Sequence, residues 1–315
     1  MTAIKPLKTH YQYTLPSGKV IALPRQLKEQ LDIYIYDMLE SEMDIVIVLD
    51  GKEGVGKSRS GRVIASYISH VINREGHKTK HFDVPNIHFE TGEYISSAEA
   101  GKKFQVNVLD EGRNALNKRR GMAKGNILFL NWLSENRDKQ QVHIIILPAV
   151  HDLESYIVDW RMTLLIHHLK IHKKDKSSKS GYRLVRGYFK VFKSVQDIQK
   201  VIKNRHKFGN YSYPRDYKYR RKFKDTEPFT DKQLIAYKNK KASSRKVKYD
   251  KAKEEVDVTK RPEVVIAQNM RDKGLSLSKI GELVGVSKAT AAKWTNGKGV
   301  IDGNENVPRI SSSVS

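Results

Sequence analysis

Gly51, Lys52, Glu53, Gly54, Val55, Gly56, Lys57 and Ser58 form one unbroken run directly behind an apolar, β-branched stretch, residues 45–49. Glycines let a backbone wrap so that successive N–H groups point inward at an anion. A lysine at the end of such a loop reaches phosphate oxygens, and a serine hydroxyl beside it is a hard ligand for a divalent cation. The spacing Gly-x-x-x-x-Gly-Lys-Ser is the Walker A pattern, and here it has the strand-loop-helix context the pattern requires. The helix expected over residues 57–74 adds the positive end of its dipole. Residues from Gly51 to Arg59 are therefore the candidate phosphate cradle, with ATP and Mg²⁺ as the expected cofactors.

A phosphate cradle alone only binds. Asp110 closes the apolar stretch 104–110, where a carboxylate can reach Mg²⁺ through a water, and Ser58 and Asp110 are the candidate metal residues. Glu111 follows and can polarise an attacking water, which would turn a nucleotide binder into a hydrolase. Lys57 and Glu111 are thus the candidate catalytic pair.

The elements that must position these groups alternate between helical and strand patterns over residues 25–170, the pattern of an α/β layer fold with a mainly parallel sheet. A helix is expected over residues 23–40, and strands over 104–110 and 141–150. Residues 163–193 read as a β-hairpin with a basic tip. The expected organisation is an N-terminal extension (1–24), a P-loop domain (25–203) that includes the hairpin, and a basic solvated arm (204–260). A small all-α domain (261–298) and a disordered tail (299–315) follow. A core cut near Asn204 is accordingly expected to keep basal activity.

The all-α segment carries a helix-turn-helix pattern. Ile280, Leu283 and Val284 supply one apolar face, Gly285 the turn, and Val286, Ala291 and Trp294 the packing of the second helix. Ser287 is set to cap that helix. Ser287, Lys288, Thr290 and Lys293 are the candidate DNA contacts, and Arg119 and Arg120 form a second basic candidate near the catalytic strand.

Composition bounds the alternatives. The 315 residues carry 59 Lys+Arg against 35 Asp+Glu, a formal net charge of +24. Such a surplus points to a polyanionic partner, nucleic acid first and an anionic membrane second, and double-stranded DNA is the partner expected. No apolar run is long enough to span a membrane. There is no cysteine, which excludes disulfides and thiol chemistry and fits a reducing cytoplasm. The N-terminus lacks the apolar stretch of a secretory signal. The 11 histidines are scattered, and His167 and His168 read as structural or surface residues.

Residues 108–168 are similar in layout to the catalytic half of additional-strand P-loop ATPases. They resemble most the FtsK and HerA class of DNA translocases, with viral packaging ATPases and zonula occludens toxin-like phage proteins among its relatives. The shared layout is Asp110-Glu111, a long helix ending in Arg137, a strand at 143–147, then Asp152-Leu153. The resemblance implies a homo-oligomeric ring in which Arg137, or Arg161 at a spacing resembling AAA+ arginine fingers, acts in trans. The class ends its sensor strand with a polar pair, whereas this chain has Leu147-Pro148-Ala149-Val150, so His151 or Gln141 is the candidate sensor of the γ-phosphate. The function implied is an ATP-driven DNA motor of viral or mobile-element type. An AAA+-type helicase loader or transposition regulator is the alternative.

Overall fold

The computed structural model describes residues 10–110, 124–193, 219–224, 226–256 and 262–295. The chain divides into two units, residues 1–240 and 241–315.

The first unit is built on a seven-stranded sheet. In chain order its strands are β3 (Ile45–Gly51), β4 (Ile87–His88), β5 (Val106–Asp110), β6 (Val142–Ile146), β7 (Leu164–His168), β10 (Tyr188–Phe192) and β11 (Tyr219–Lys222), arranged in space as β11-β10-β7-β3-β6-β5-β4. From β7 to β4 all pairings are parallel, whereas β10 and β11 add an antiparallel edge. Strand β6 lies between the P-loop strand β3 and the Asp110 strand β5, and this is the additional strand that the sequence resemblance implied.

Period-two alternation explains how the sheet is covered on both faces. Ile45, Ile47 and Leu49 pack with α1 (Arg25–Glu40) and α2 (Lys57–Arg74). Val46 and Val48 pack the other way, against α3 (Thr91–Glu99) and α4 (Lys124–Glu135). Each fully buried Ile, Leu or Val in these layers contributes about 1.5–3 kcal/mol.

Three segments differ from the sequence expectation. Residues 10–24, expected as an extension, form an antiparallel hairpin, β1 (His10–Thr14) and β2 (Val20–Pro24), and Ile21 and Leu23 join the core. The hairpin at 163–193 is compound: β7 and β10 pair within the main sheet, while β8 (Ile171–Lys174) and β9 (Tyr182–Val185) pair separately beyond it. The segment expected as a solvated arm contains β11, which pairs with β10, and α5 (Asp231–Val256). Phe223, Phe229 and Tyr237 are core residues. A boundary at 203/204 would cut through this sheet, so a core ending near Asn204 lacks part of its own interior.

The start of α5 has a clear cause. The Gln233 side chain accepts from Thr230 N (2.8 Å), and Thr230 Oγ1 accepts from Gln233 N (3.4 Å). That is a capping box, Thr-x-x-Gln. No glycine or proline interrupts residues 231–256.

In the second unit, α6 (Pro262–Asp272), α7 (Leu277–Val284) and α8 (Lys288–Thr295) pack around Ala267, Ile280 and Ala291. Gly285 closes α7 in the left-handed region (φ 74°). Gly281 is required by close approach, since a Cβ there would lie 2.6 Å from the Val286 carbonyl oxygen. Leu283, expected on the apolar face, is exposed instead.

Two fully buried histidines make stability pH-dependent. Burial pushes His143 and His168 down from 6.5 to about 3. Both are neutral in the fold but take up protons when the chain unfolds below the ordinary histidine range. Their contribution is complete above 6.5 and is lost as pH falls toward the folded value, at about 1.4 kcal/mol per pH unit for each. Urea unfolding at about pH 5 should therefore have a lower midpoint than at about pH 7.5, and His143→Phe should flatten that difference.

Candidate functional site

All four long parallel strands end on one side of the sheet, and the chemistry-bearing residues collect at those carboxyl ends, where α/β sheets bind ligands. Gly51, Gly54 and Gly56 all have positive φ (128°, 76° and 104°), which lets the backbone fold into a cradle. Gly51 also has no room for a side chain, as a Cβ would lie 2.4 Å from the His168 carbonyl oxygen. The loop feeds α2, whose first turn has no acidic residue and no side-chain cap bond. Its N–H groups and dipole are therefore left for an anion.

Lys57 Nζ donates to the carbonyls of Gly51 and, at 2.9 Å, of Lys52. The lysine thus lies across the mouth of the loop. Ser58 Oγ donates to Asp110 Oδ1 at 3.2 Å. The β5 register explains that meeting: Val106, Val108 and Asp110 share the face toward α2. Lys52, Glu53, Gly54 and Arg59 are exposed and Val55 is buried. Glu111, Arg119 and Arg120 lie outside the described residues.

The strand after β3 in space is tied to the loop by backbone. Gly51 N donates to the Pro148 carbonyl (3.1 Å), and Val150 N donates to Asp50 Oδ2 (2.9 Å). His167 Nδ1 meets the other Asp50 oxygen at 2.8 Å. His151 sits just beyond this crossing and is buried. Gln141 is at the opposite end of β6, bonded to Ala98 O and Asn107, and so cannot sense a γ-phosphate in its own chain.

Arg161 requires a correction. Its side chain is 3 % exposed, ion-paired to Asp44 and donating to the Leu133 carbonyl. Burial pushes the Asp44 carboxyl up, and the neighbouring guanidinium offsets this only in part. A guanidinium held inside its own chain is not offered to a neighbouring subunit. Arg137, by contrast, is exposed.

Sequence reading missed several neighbours of the site. Gly187 N donates to the Val55 carbonyl (3.1 Å), docking the β9–β10 connection on the loop. Beside it a cavity of about 420 Å³ is lined by Gly56, Arg59, Arg183, Arg186, Lys222 and Lys224, among others. On the α2 side, Arg62 makes two bonds to Glu227 (3.0 and 2.6 Å), and Tyr237 donates to Asp110 Oδ2 (2.7 Å). Only the Thr230–Gln233 capping box signalled any of this in the sequence.

In the second unit, Ser287 Oγ accepts from Thr290 N (3.1 Å), the expected cap of α8. Lys288 and Lys293 are exposed, while Thr290 is half-buried with its hydroxyl 2.9 Å from Ser287 Oγ.

Among the described residues, no cluster of three or more His, Asp or Glu side chains could hold a metal. A divalent ion at Ser58 and Asp110 would be shared with phosphates and waters, as Mg²⁺ usually is. Among the described residues no helix is long and apolar enough to cross a membrane.

No family model and no curated protein matches the chain. Among solved structures it is similar to the genome packaging NTPase B204 of Sulfolobus turreted icosahedral virus 2, bound to ATP-gammaS (14% identity, TM-score 0.30, 49% of this chain and 93% of that one). The DNA-packaging ATPase B204 of Sulfolobus turreted icosahedral virus gives 15% identity and a TM-score of 0.30, covering 49% of this chain and 94% of that one. The N-terminal domain of zonular occludens toxin from Neisseria meningitidis gives 13% and 0.30, covering 48% and 84%. Strand order, loop geometry and the Ser58–Asp110 contact together identify the fold as that of an additional-strand P-loop NTPase.

Proposed function

We propose that the chain is an Mg²⁺-dependent ATPase that acts on double-stranded DNA as a motor, translocating or packaging it, and works as a homo-oligomeric ring. The observation that carries the reading is the meeting of Ser58 with Asp110 beside the uncapped start of α2. Loop N–H groups beyond Gly51, as far as Ser58, hold the phosphates, and Lys57 moves from loop carbonyls to the β- and γ-oxygens. Mg²⁺, when bound, would neutralise charge on those oxygens, and the hydroxyl of Ser58 and the carboxylate of Asp110 suit it as hard ligands. Glu111 orients the attacking water. The cation-lined cavity beside Gly56 suits the rest of an anionic nucleotide. Arg137, exposed ahead of β6, is the arginine we assign to a neighbouring subunit's site.

The DNA part of the proposal rests on the +24 charge and on the capped helix α8, which leaves Lys288 and Lys293 exposed. Arg119 and Arg120 are assigned to the same partner from sequence alone.

The test is ATP turnover by the full chain with and without double-stranded DNA. Stimulation is expected, and it should fade steeply with salt because phosphate contacts release counterions. Stimulation without directional displacement of a DNA triplex would favour the assembly-switch alternative of a helicase loader. Turnover indifferent to DNA at low salt would remove DNA from the function.

A further inference from the structure

We propose that Tyr237 is a positioning residue of the nucleotide site, its hydroxyl holding Asp110 in the orientation in which Asp110 and Ser58 jointly receive a divalent cation. The proposal rests on the nucleotide-binding reading above and assigns a role that the Walker motifs do not contain.

The geometry is specific. Asp110 has two oxygens with different partners: Oδ1 accepts from Ser58 Oγ (3.2 Å), and Oδ2 accepts from Tyr237 Oη (2.7 Å). Both Asp110 and Tyr237 are buried. A carboxylate at a strand end rotates about its Cβ–Cγ bond, and one short bond to a fixed donor stops that rotation. A phenol does this without bringing a positive charge, so it does not compete with a cation for the carboxylate as a lysine or arginine would.

Tyr237 is itself held in place through its ring. The Arg62 guanidinium lies 4.6 Å over its ring and 5.6 Å over that of Phe229, and Glu227 fixes Arg62 through two bonds. Phe89 packs against the ring with centroids 6.0 Å apart. Away from the ring, and separately from its contacts, α5 is fastened by Gln233 Nε2 donating to Asp83 Oδ1 (2.8 Å) and by the Lys240–Glu93 pair (2.7 Å). Arg62 lies one turn beyond Ser58 on α2. The brace therefore connects the two elements that carry the cation ligands. Residues supporting metal ligands in this way are worth about 10–100-fold in metal affinity.

The test compares the full-length parent, Tyr237→Phe and Gln233→Ala. Mn²⁺ uptake in the presence of ADP is read from loss of the free-ion electron paramagnetic resonance signal, and nucleotide binding is read separately in EDTA. Tyr237→Phe should weaken Mn²⁺ uptake about tenfold while binding ADP in EDTA as the parent does. Gln233→Ala, which loosens the same helix but leaves the phenol, should take up Mn²⁺ as the parent does. In an Asp110→Asn background, Tyr237→Phe should cause no further loss, because the tyrosine acts through that carboxylate. Parent-like Mn²⁺ uptake by Tyr237→Phe overturns the proposal, as does equal weakening by Gln233→Ala, which would make the contact a tether for α5 only. A parent that binds ADP but takes up no Mn²⁺ overturns it too. A parent that takes up Mn²⁺ yet releases no phosphate from ATP overturns the hydrolysis reading alone, and the variant comparison still decides the role of Tyr237.

Discussion

Glu111→Gln is expected to bind ATP as the parent does and to release phosphate about 10²–10⁴-fold more slowly. In the proposed function, binding belongs to the loop N–H groups, Lys57 and Ser58, and the substitution alters none of these. The glutamine keeps the shape and polarity of the side chain but cannot accept the proton of an attacking water. The check is fluorescent-nucleotide affinity and single-turnover phosphate release measured on the same preparation. Unchanged turnover would take Glu111 out of the mechanism. Loss of binding instead would mean that residue 111 shapes the loop rather than the water.

Arg161→Ala is expected to lower stability by about 3–5 kcal/mol, because it leaves the Asp44 carboxylate buried without its partner. The side chains of the pair are only 3% and 8% exposed. His143 Nε2 lies 3.8 Å from Asp44, but burial keeps it neutral. The check is urea unfolding followed by circular dichroism. Arg137→Ala, at an exposed position, should leave the unfolding curve unchanged. An arginine acting in trans gives the opposite signature to Arg161: full stability, lost turnover, and recovery when mixed with Lys57→Ala subunits. Arg161→Ala with an unchanged unfolding midpoint would refute the assignment of Arg161 to the interior.

What the sequence made legible follows from how local each signal is. The cradle from Gly51 to Ser58 and helix α2 were readable because a fixed spacing of glycine, lysine and serine directly follows a β-branched strand. The caps at Ser287 and Gly285 were readable because capping chemistry acts within one helical turn. Strand β11 was not readable, as four basic and aromatic residues become a strand only by pairing with β10 in the main sheet. Tyr237 looked like one more tyrosine in a basic arm, since the carboxylate it meets is 127 residues away. Arg161 was misjudged for the same reason: spacing suggested an outward-facing arginine, and a partner 117 residues distant turned it inward. The capping box at Thr230 was local and legible, and it would have marked the start of α5. Gln141 was ruled out as a sensor by strand direction, which only the sheet reveals.

The most direct test of the central claim is phosphate release from ATP by the full chain in Mg²⁺, set beside Lys57→Ala and a parent sample in excess EDTA. Turnover by the parent that disappears in both comparisons is the result the site geometry predicts, since Lys57 spans the loop mouth and Ser58 and Asp110 share one hydrogen bond. Turnover that survives in Lys57→Ala or in EDTA, or a parent chain that binds ATP with Mg²⁺ and never cleaves it, would contradict it.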